Sequence, residues 1–132
     1  MVRTELREHI FKTVFQLTFH EPEEMPEHLK LYFDHLENAA DKDKEYIENK
    51  YKAVAEKVSE IDSMIDAKSE TWKTKRMSKV DLAILRLAVY EMKWDEDVPT
   101  GVAINEAVEL AKKFSGEGAP AFVNGGLARL AE

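Results

Sequence analysis

The fold of this chain is decided by one stretch, Met77 to Met92, which reads MSKVDLAILRLAVYEM. Its apolar residues recur at helical spacing on nearly every side, a pattern typical of a helix that neighbours surround. Ser78 is placed to cap the first turn, and Asp81 three residues later can reach back to complete a capping box. The stretch therefore predicts the buried central helix of an all-helical domain.

One charged residue, Arg86, lies in the middle of this predicted helix. Charged side chains are rarely buried without a partner, because their desolvation is costly. We therefore expect Arg86 to bury its aliphatic stem and to pair with a carboxylate, with Glu91 and Glu106 as the candidates.

Helical periodicity continues on both sides of the central stretch. It predicts a first helix over residues 4–19, a second that opens at Pro26, and a third helical region over residues 44–68, which can be one helix or two. Further helices are predicted over residues 102–114 and from Pro120 onward. No apolar run approaches the ~20 residues that a membrane-spanning helix needs. The sequence thus predicts an all-α fold.

Two local features bear on packing. Trp72 precedes the central helix, and we expect it to anchor that segment in the core. Gly125 and Gly126 fall inside the last predicted helix, where each costs about 0.8–1 kcal/mol relative to alanine. The pair indicates either the close approach of another helix or a helix that is weak or kinked.

Composition and charge narrow the classes of function. The 132 residues include no cysteine, which excludes disulfides and thiol chemistry and suits a cytoplasmic protein. The net charge of −7 argues against a protein that coats nucleic acid by charge alone. Residues 21–40 nevertheless hold six acids against one base, whereas residues 71–80 hold four bases and no acid. We expect any anion-binding surface at the N-terminus or just before the central helix.

The sequence contains few of the patterns that are typical of catalytic or metal-binding sites. The sequence contains no P-loop, no glycine-rich dinucleotide motif and no evident nucleophile–base pair. Its histidines lack the i,i+4 spacing of helical metal ligands, so we expect surface residues at His9, His20, His28 and His35. We therefore predict no enzyme, no cofactor and no metal.

Side chains that can bind nucleic acid are better represented in the sequence. Arg7 lies at the rim of the apolar face of the first predicted helix, and Arg3 lies one turn earlier on the same side. Such an arginine can bury its stem or present its fork to a phosphate, and both readings stay open. Phe122 opens the last predicted helix, where it can either fill the core or stack on an unpaired base.

Three motifs, in a shared order and spacing, carry a resemblance to a known family. They are VDLAILRLAVYE at residues 80–91, VAINEAVELAKKF at residues 102–114 after Val98-Pro99, and FVNG at residues 122–125. They resemble the central, following and last helices of the NusB family of bacterial transcription antitermination factors. The resemblance is dense from about Trp72 to Leu130 and thin over residues 20–70.

The resemblance implies two packed three-helix bundles in a single compact domain, with bundles at about residues 1–70 and 71–132. It implies binding of boxA-type single-stranded RNA, including that of ribosomal RNA operons, together with the small-subunit ribosomal protein that acts as NusE. Other Nus factors and RNA polymerase are reached indirectly through that complex. Some members form homodimers, and the sequence leaves the choice between monomer and homodimer open.

The resemblance also nominates residues by position. It nominates for RNA contacts Arg3, Arg7, Glu117 and Phe122, and for the partner surface Phe15 and Asp81. The family's N-terminus often carries a dense arginine cluster, whereas this chain has only Arg3 and Arg7 among acids. Fewer phosphate contacts mean lower affinity, so we expect the chain alone to bind RNA weakly and to depend on its basic partner. Gly126 also departs from the family pattern, in which a larger aliphatic residue is usual.

Two other classes of function stay open. The chain can be a helical scaffold that binds only proteins, or an accessory RNA-binding domain related to those that precede some ribosomal RNA methyltransferases. No cofactor-binding domain follows Glu132 in this sequence, so we expect the antitermination factor rather than the methyltransferase accessory domain.

Overall fold

The computed structural model describes residues 1–69 and 73–132, and within these ranges every regular element is helical. The α-helices are α1 (Arg3–Leu17), α2 (Met25–Asp34), α3 (Asp41–Glu56), α4 (Val58–Lys68), α5 (Lys79–Trp94), α6 (Thr100–Phe114) and α7 (Ala119–Ala131). Short 3-10 helices lie at Pro22–Glu24 and Thr74–Arg76. The predicted all-α class is confirmed. Trp72 lies outside the described residues.

The chain divides into two compact units, residues 1–56 and 57–132. The first unit contains α1, α2 and α3, and the second contains α4 to α7. The boundary thus falls earlier than the position near residue 70 that we expected, because α4 packs against α5 and α7. No helix in the described ranges is both long and apolar enough to cross a membrane.

Residues 44–68 form two helices rather than one. Lys57, at φ −105° and ψ 3°, separates α3 from α4. Val54 of α3 is buried in the first unit, whereas Ile61 and Ile65 of α4 are buried in the second. The apolar repeat runs on across the break, so its periodicity alone cannot reveal that it serves two cores.

In the first unit, α1 packs against α3 and α2. The buried apolar side chains of these helices are Ile10, Phe11, Val14, Met25, Leu29, Ile47, Tyr51 and Val54. Asn38 takes a positive φ of 60° in the turn before α3, a conformation that asparagine tolerates better than most residues. The acidic stretch of residues 21–40 forms α2 and the links on either side of it.

In the second unit, α5 is the central helix that the sequence predicts. It packs against α6, α7 and α4. Its buried residues are Leu82, Ala83, Ile84, Leu85, Leu87, Ala88, Val89 and Glu91. The Oγ atom of Ser78 accepts a hydrogen bond from the Asp81 backbone N–H at 3.1 Å, so the predicted N-cap is confirmed.

Arg86 is paired as expected, but its partner is Asp62 of α4 and not Glu91 or Glu106. The guanidinium Nε donates to Oδ1 at 2.9 Å, and Nη2 donates to Oδ2 at 2.7 Å. This bidentate pair joins α4 to α5, and its side chains are only 11% and 25% exposed. The sequence could not identify the partner because the packing of α4 on α5 is a long-range feature.

Close helix approach does not explain Gly125. Apart from its own helix and chain neighbours, no described atom lies within 4 Å of where its Cβ would be, and the residue is exposed. Gly126 is buried within α7, which packs against α6, α5 and α4. The close-approach interpretation is therefore wrong for Gly125.

We expect the Arg86–Asp62 pair to stabilise the second unit measurably. A double-mutant cycle with Arg86→Met and Asp62→Ala, read by urea unfolding, should give a coupling of roughly 1.5–3 kcal/mol, because the bonds are charge-assisted and partly buried. The exposed pair Lys112–Glu109, at 3.3 Å, is the matched control and should couple by about 0.5 kcal/mol or less. Equal coupling in the two pairs would contradict this assignment.

Candidate nucleic-acid interface

The two nominated arginines of α1 differ in accessibility. Arg3 begins the helix and is exposed. Arg7, one turn later, is only 5% exposed. Of the two readings left open for these residues, burial of the side chain describes Arg7, and Arg3 offers the accessible guanidinium.

The backbone that carries Arg3 is anchored at the start of the chain. The ammonium of Met1 donates to Oδ2 of Asp43 at 3.1 Å, and the same oxygen accepts the Ala40 backbone N–H at 3.2 Å. Hydrogen bonding to the Met1 ammonium, aided by the Ala40 N–H, lowers the pKa of Asp43 below its usual value. The start of α1 is thereby tied to the first turn of α3.

Glu117 and Phe122 lie where α6 gives way to α7. Glu117 is exposed in the link between the two helices. Phe122 lies in the first turns of α7 and is half-buried. This placement is compatible with both predicted readings, a core side chain and a surface on which a base can stack.

Asp81 supports this link rather than its own helix. Its Oδ1 atom accepts a hydrogen bond from the Ser115 hydroxyl at 2.6 Å. Ser115 is the C-cap of α6, so the bond joins the start of α5 to the end of α6. The predicted use of this carboxylate in a capping box is therefore corrected: it accepts from Ser115, 34 residues away.

Phe15, nominated for the partner surface, belongs to an aromatic row that runs along α1 and just past its end. Its ring is tilted against Phe11 at 6.1 Å between centroids and meets Phe19 edge to face at 4.9 Å. Phe11 is buried, Phe15 is half-buried and Phe19 is 56% exposed. The row leads from the core of the first unit to the surface. Sequence reasoning missed Phe19 as a surface aromatic because it continues an apolar stripe.

The basic segment before α5 is largely available to solvent. Lys75, Arg76 and Lys79 are exposed, whereas Lys73 donates its Nζ proton to the Asp66 carbonyl at 2.7 Å. Asp66 also accepts hydrogen bonds from the backbone and hydroxyl of Thr74. The end of α4 thus holds this segment and leaves three cations facing water.

Comparison with known proteins assigns the class of protein. Residues 4–132 match the NusB family, and the chain belongs to that family. The transcription antitermination protein NusB of Agathobacter rectalis is 51% identical over 131 residues, which are 99% of this chain and 100% of that protein.

Solved structures agree with this assignment. The structure of T. maritima NusB has a TM-score of 0.86 and 36% identity, and the match covers 99% of this chain and 91% of that one. A crystal structure of the antitermination factors NusB and NusE in complex with dsRNA has a TM-score of 0.78 and 24% identity. That match covers 99% of this chain and 98% of the other, and it shows a likeness of fold.

We expect Asp43→Asn to weaken the anchor of α1 in a pH-dependent way. Because the folded-state pKa of Asp43 is lowered, its contribution to stability is fully present above the unfolded pKa of about 3.9 and is lost as the pH falls through the lower folded value. The variant should be less stable than the parent at neutral pH, and the difference should shrink in acid.

Urea unfolding at a series of pH values measures this difference. Asp41→Asn, a change at an exposed acid in the same turn, is the control and should show little effect. A stability difference for Asp43→Asn that stays constant down to the lowest pH would contradict the expected linkage.

Proposed function

We propose that this chain is a transcription antitermination factor that binds boxA-type single-stranded RNA together with the ribosomal protein NusE. The complex promotes processive transcription of ribosomal RNA operons through other Nus factors and RNA polymerase. The chain acts in the cytoplasm by binding and without catalysis. The observation that carries the proposal is the match to the NusB family over residues 4–132, supported by the 51% identical relative.

RNA contacts in the first unit are proposed at Arg3 and Arg7. Arg3 is exposed on an anchored helix start, where its guanidinium can bind a phosphate through two parallel hydrogen bonds. Arg7 is nearly buried and presents less surface, so we rank its contribution below that of Arg3.

RNA contacts in the second unit are proposed at Glu117 and Phe122. The half-exposed ring of Phe122 can stack on an unpaired base. The exposed carboxylate of Glu117 repels phosphates but can accept a hydrogen bond from the amino group of a base. We therefore assign Glu117 to base selection rather than to affinity.

Partner contacts are proposed in the first unit at Phe15, extended to the neighbouring exposed ring of Phe19, and in the second unit at Asp81. Exposed aromatic side chains are frequent anchors of protein interfaces. The net charge of −7 complements a basic ribosomal partner and favours rapid association with it. The partner then supplies the cations that this chain lacks for holding RNA.

We expect the isolated chain to bind boxA RNA weakly and the complex with NusE to bind it more tightly, because the partner adds phosphate contacts. Fluorescence titrations of boxA and scrambled RNA, with and without NusE over a salt series, measure both affinities. Equal affinity of chain and complex at physiological salt would contradict dependence on the partner. Failure of the complex to prefer boxA over scrambled RNA would contradict the proposed function.

We expect Arg3→Ala to lower the affinity of the complex and to reduce the salt dependence of log K by about 0.7, the value for one lost contact to a single strand. Arg129→Ala removes an exposed arginine at the end of α7 and is the matched control.

We expect Phe122→Leu to weaken RNA binding by about 1–3 kcal/mol, because it keeps an apolar side chain but removes the face on which a base can stack. If Arg3→Ala, Arg7→Ala and Phe122→Leu all leave RNA binding unchanged, the protein-only scaffold becomes the better description.

A further inference from the structure

We propose that the first unit contains a zinc-type metal site formed by His20, Glu24 and His28. Each side chain offers one ligand atom, and these three atoms lie within 4.8 Å of one another. The site uses none of the residues proposed for RNA or partner binding. The test of this metal site is therefore independent of the proposed RNA-binding function.

The backbone brings the three residues together from separate elements. His20 follows the end of α1, Glu24 closes the 3-10 helix Pro22–Glu24, and His28 lies on the first turns of α2. The imidazole rings of His20 and His28 stack with 3.8 Å between centroids and 18° between planes. The two rings are thus already neighbours, and they must rotate out of this stack for their in-plane nitrogen lone pairs to point at one ion.

The separation of the ligand atoms is close to what a shared ion requires. Zinc binds histidine nitrogen and carboxylate oxygen at about 2.0–2.2 Å, so the ligands of a tetrahedral ion lie roughly 3.3 Å apart. Atoms that lie within 4.8 Å can reach this spacing by side-chain rotation. Glu24 is exposed and both histidines are half-exposed, so the rotation does not require the core to repack.

Glu24 is oriented by a hydrogen bond from the backbone. The N–H of Glu21 donates to its Oε1 atom at 2.9 Å. A carboxylate has lone pairs on both oxygens, so this bond leaves acceptor capacity for an ion. Ligating carboxylates in metal sites are commonly fixed by such outer hydrogen bonds. The third ligand is therefore already oriented.

Charge and ligand type indicate which ions bind. The exposed residues Glu21, Glu23 and Glu27 surround the site in sequence and raise the local concentration of cations. Two imidazoles favour zinc, copper and nickel over calcium and magnesium, which prefer oxygen ligands alone. Three protein ligands leave a fourth position for water. A bound ion would join the α1–α2 link to α2 and would therefore stabilise the folded first unit.

Calorimetric titration of the tag-free full chain with zinc chloride, after chelation and dialysis, tests the site. We expect one saturable site per chain and a cobalt complex with the visible absorption of tetrahedral coordination. His20→Ala, His28→Ala and Glu24→Gln should each weaken zinc binding by about tenfold or more, because each removes one of three ligands. Glu24→Gln keeps an oxygen that can accept the Glu21 N–H, which preserves the local turn.

Two control variants separate this site from adventitious surface binding. His35→Ala removes an exposed histidine of the same region, and Glu27→Gln removes an exposed acid of the first turn of α2. Both should leave zinc affinity unchanged, and circular dichroism should show all variants to be folded. Absence of saturable zinc binding by the parent chain would overturn the proposal. So would an equal loss of affinity in the ligand variants and the controls.

Discussion

Burial of α5 on nearly every side is the constraint on which the second unit depends. Eight of its residues are buried, and α4, α6 and α7 all pack against it. Each large aliphatic side chain buried in this way contributes about 1.5–3 kcal/mol. Polar contacts attach each of these three helices to α5, and the Nζ atom of Lys93 donates to the Leu130 carbonyl of α7 at 2.8 Å. Asp81 holds the end of α6, and Arg86 holds α4 through Asp62.

These attachments connect the packing to the proposed function. The bond from Ser115 to Asp81 fixes the start of the link that carries Glu117 and leads into Phe122. In the first unit, the Met1–Asp43 contact does the same for the start of α1 and for Arg3. Contacts presented from ordered backbone lose less conformational entropy on binding, so a small number of RNA-facing side chains can suffice. In each unit, a partly buried polar contact thus supports a segment that carries a proposed binding residue.

The sequence predicted what is local and missed what is long-range. The central helix and the Ser78 cap follow from spacing and from the chemistry of a few adjacent residues. The partner of Arg86 could not be predicted, because Asp62 lies 24 residues away on a helix whose place in the fold was unknown. The break at Lys57 was equally hidden, since the apolar repeat has the same period on both sides.

The candidate sites show the same division. The family resemblance nominated Arg3, Arg7 and Phe122 by position. Helical spacing placed Arg7 at the rim of the apolar face of α1, whereas the fold buries it. The His20–Glu24–His28 cluster was missed, although its members are four residues apart, because metal-ligand spacing was weighed between histidines alone and Glu24 was not considered with them. The spacing alone does not show that the three side chains converge, because they lie on a link, a 3-10 helix and α2 rather than on one continuous helix.

The most direct measurement is backbone NMR of the labelled chain in complex with NusE, before and after addition of boxA RNA. If α1 and α7 present the RNA contacts, the largest RNA-induced shift changes should fall in residues 2–7 and 115–124, and scrambled RNA should produce much smaller ones. Changes confined to other parts of the chain, with these two segments unaffected, would contradict the assignment of the RNA surface.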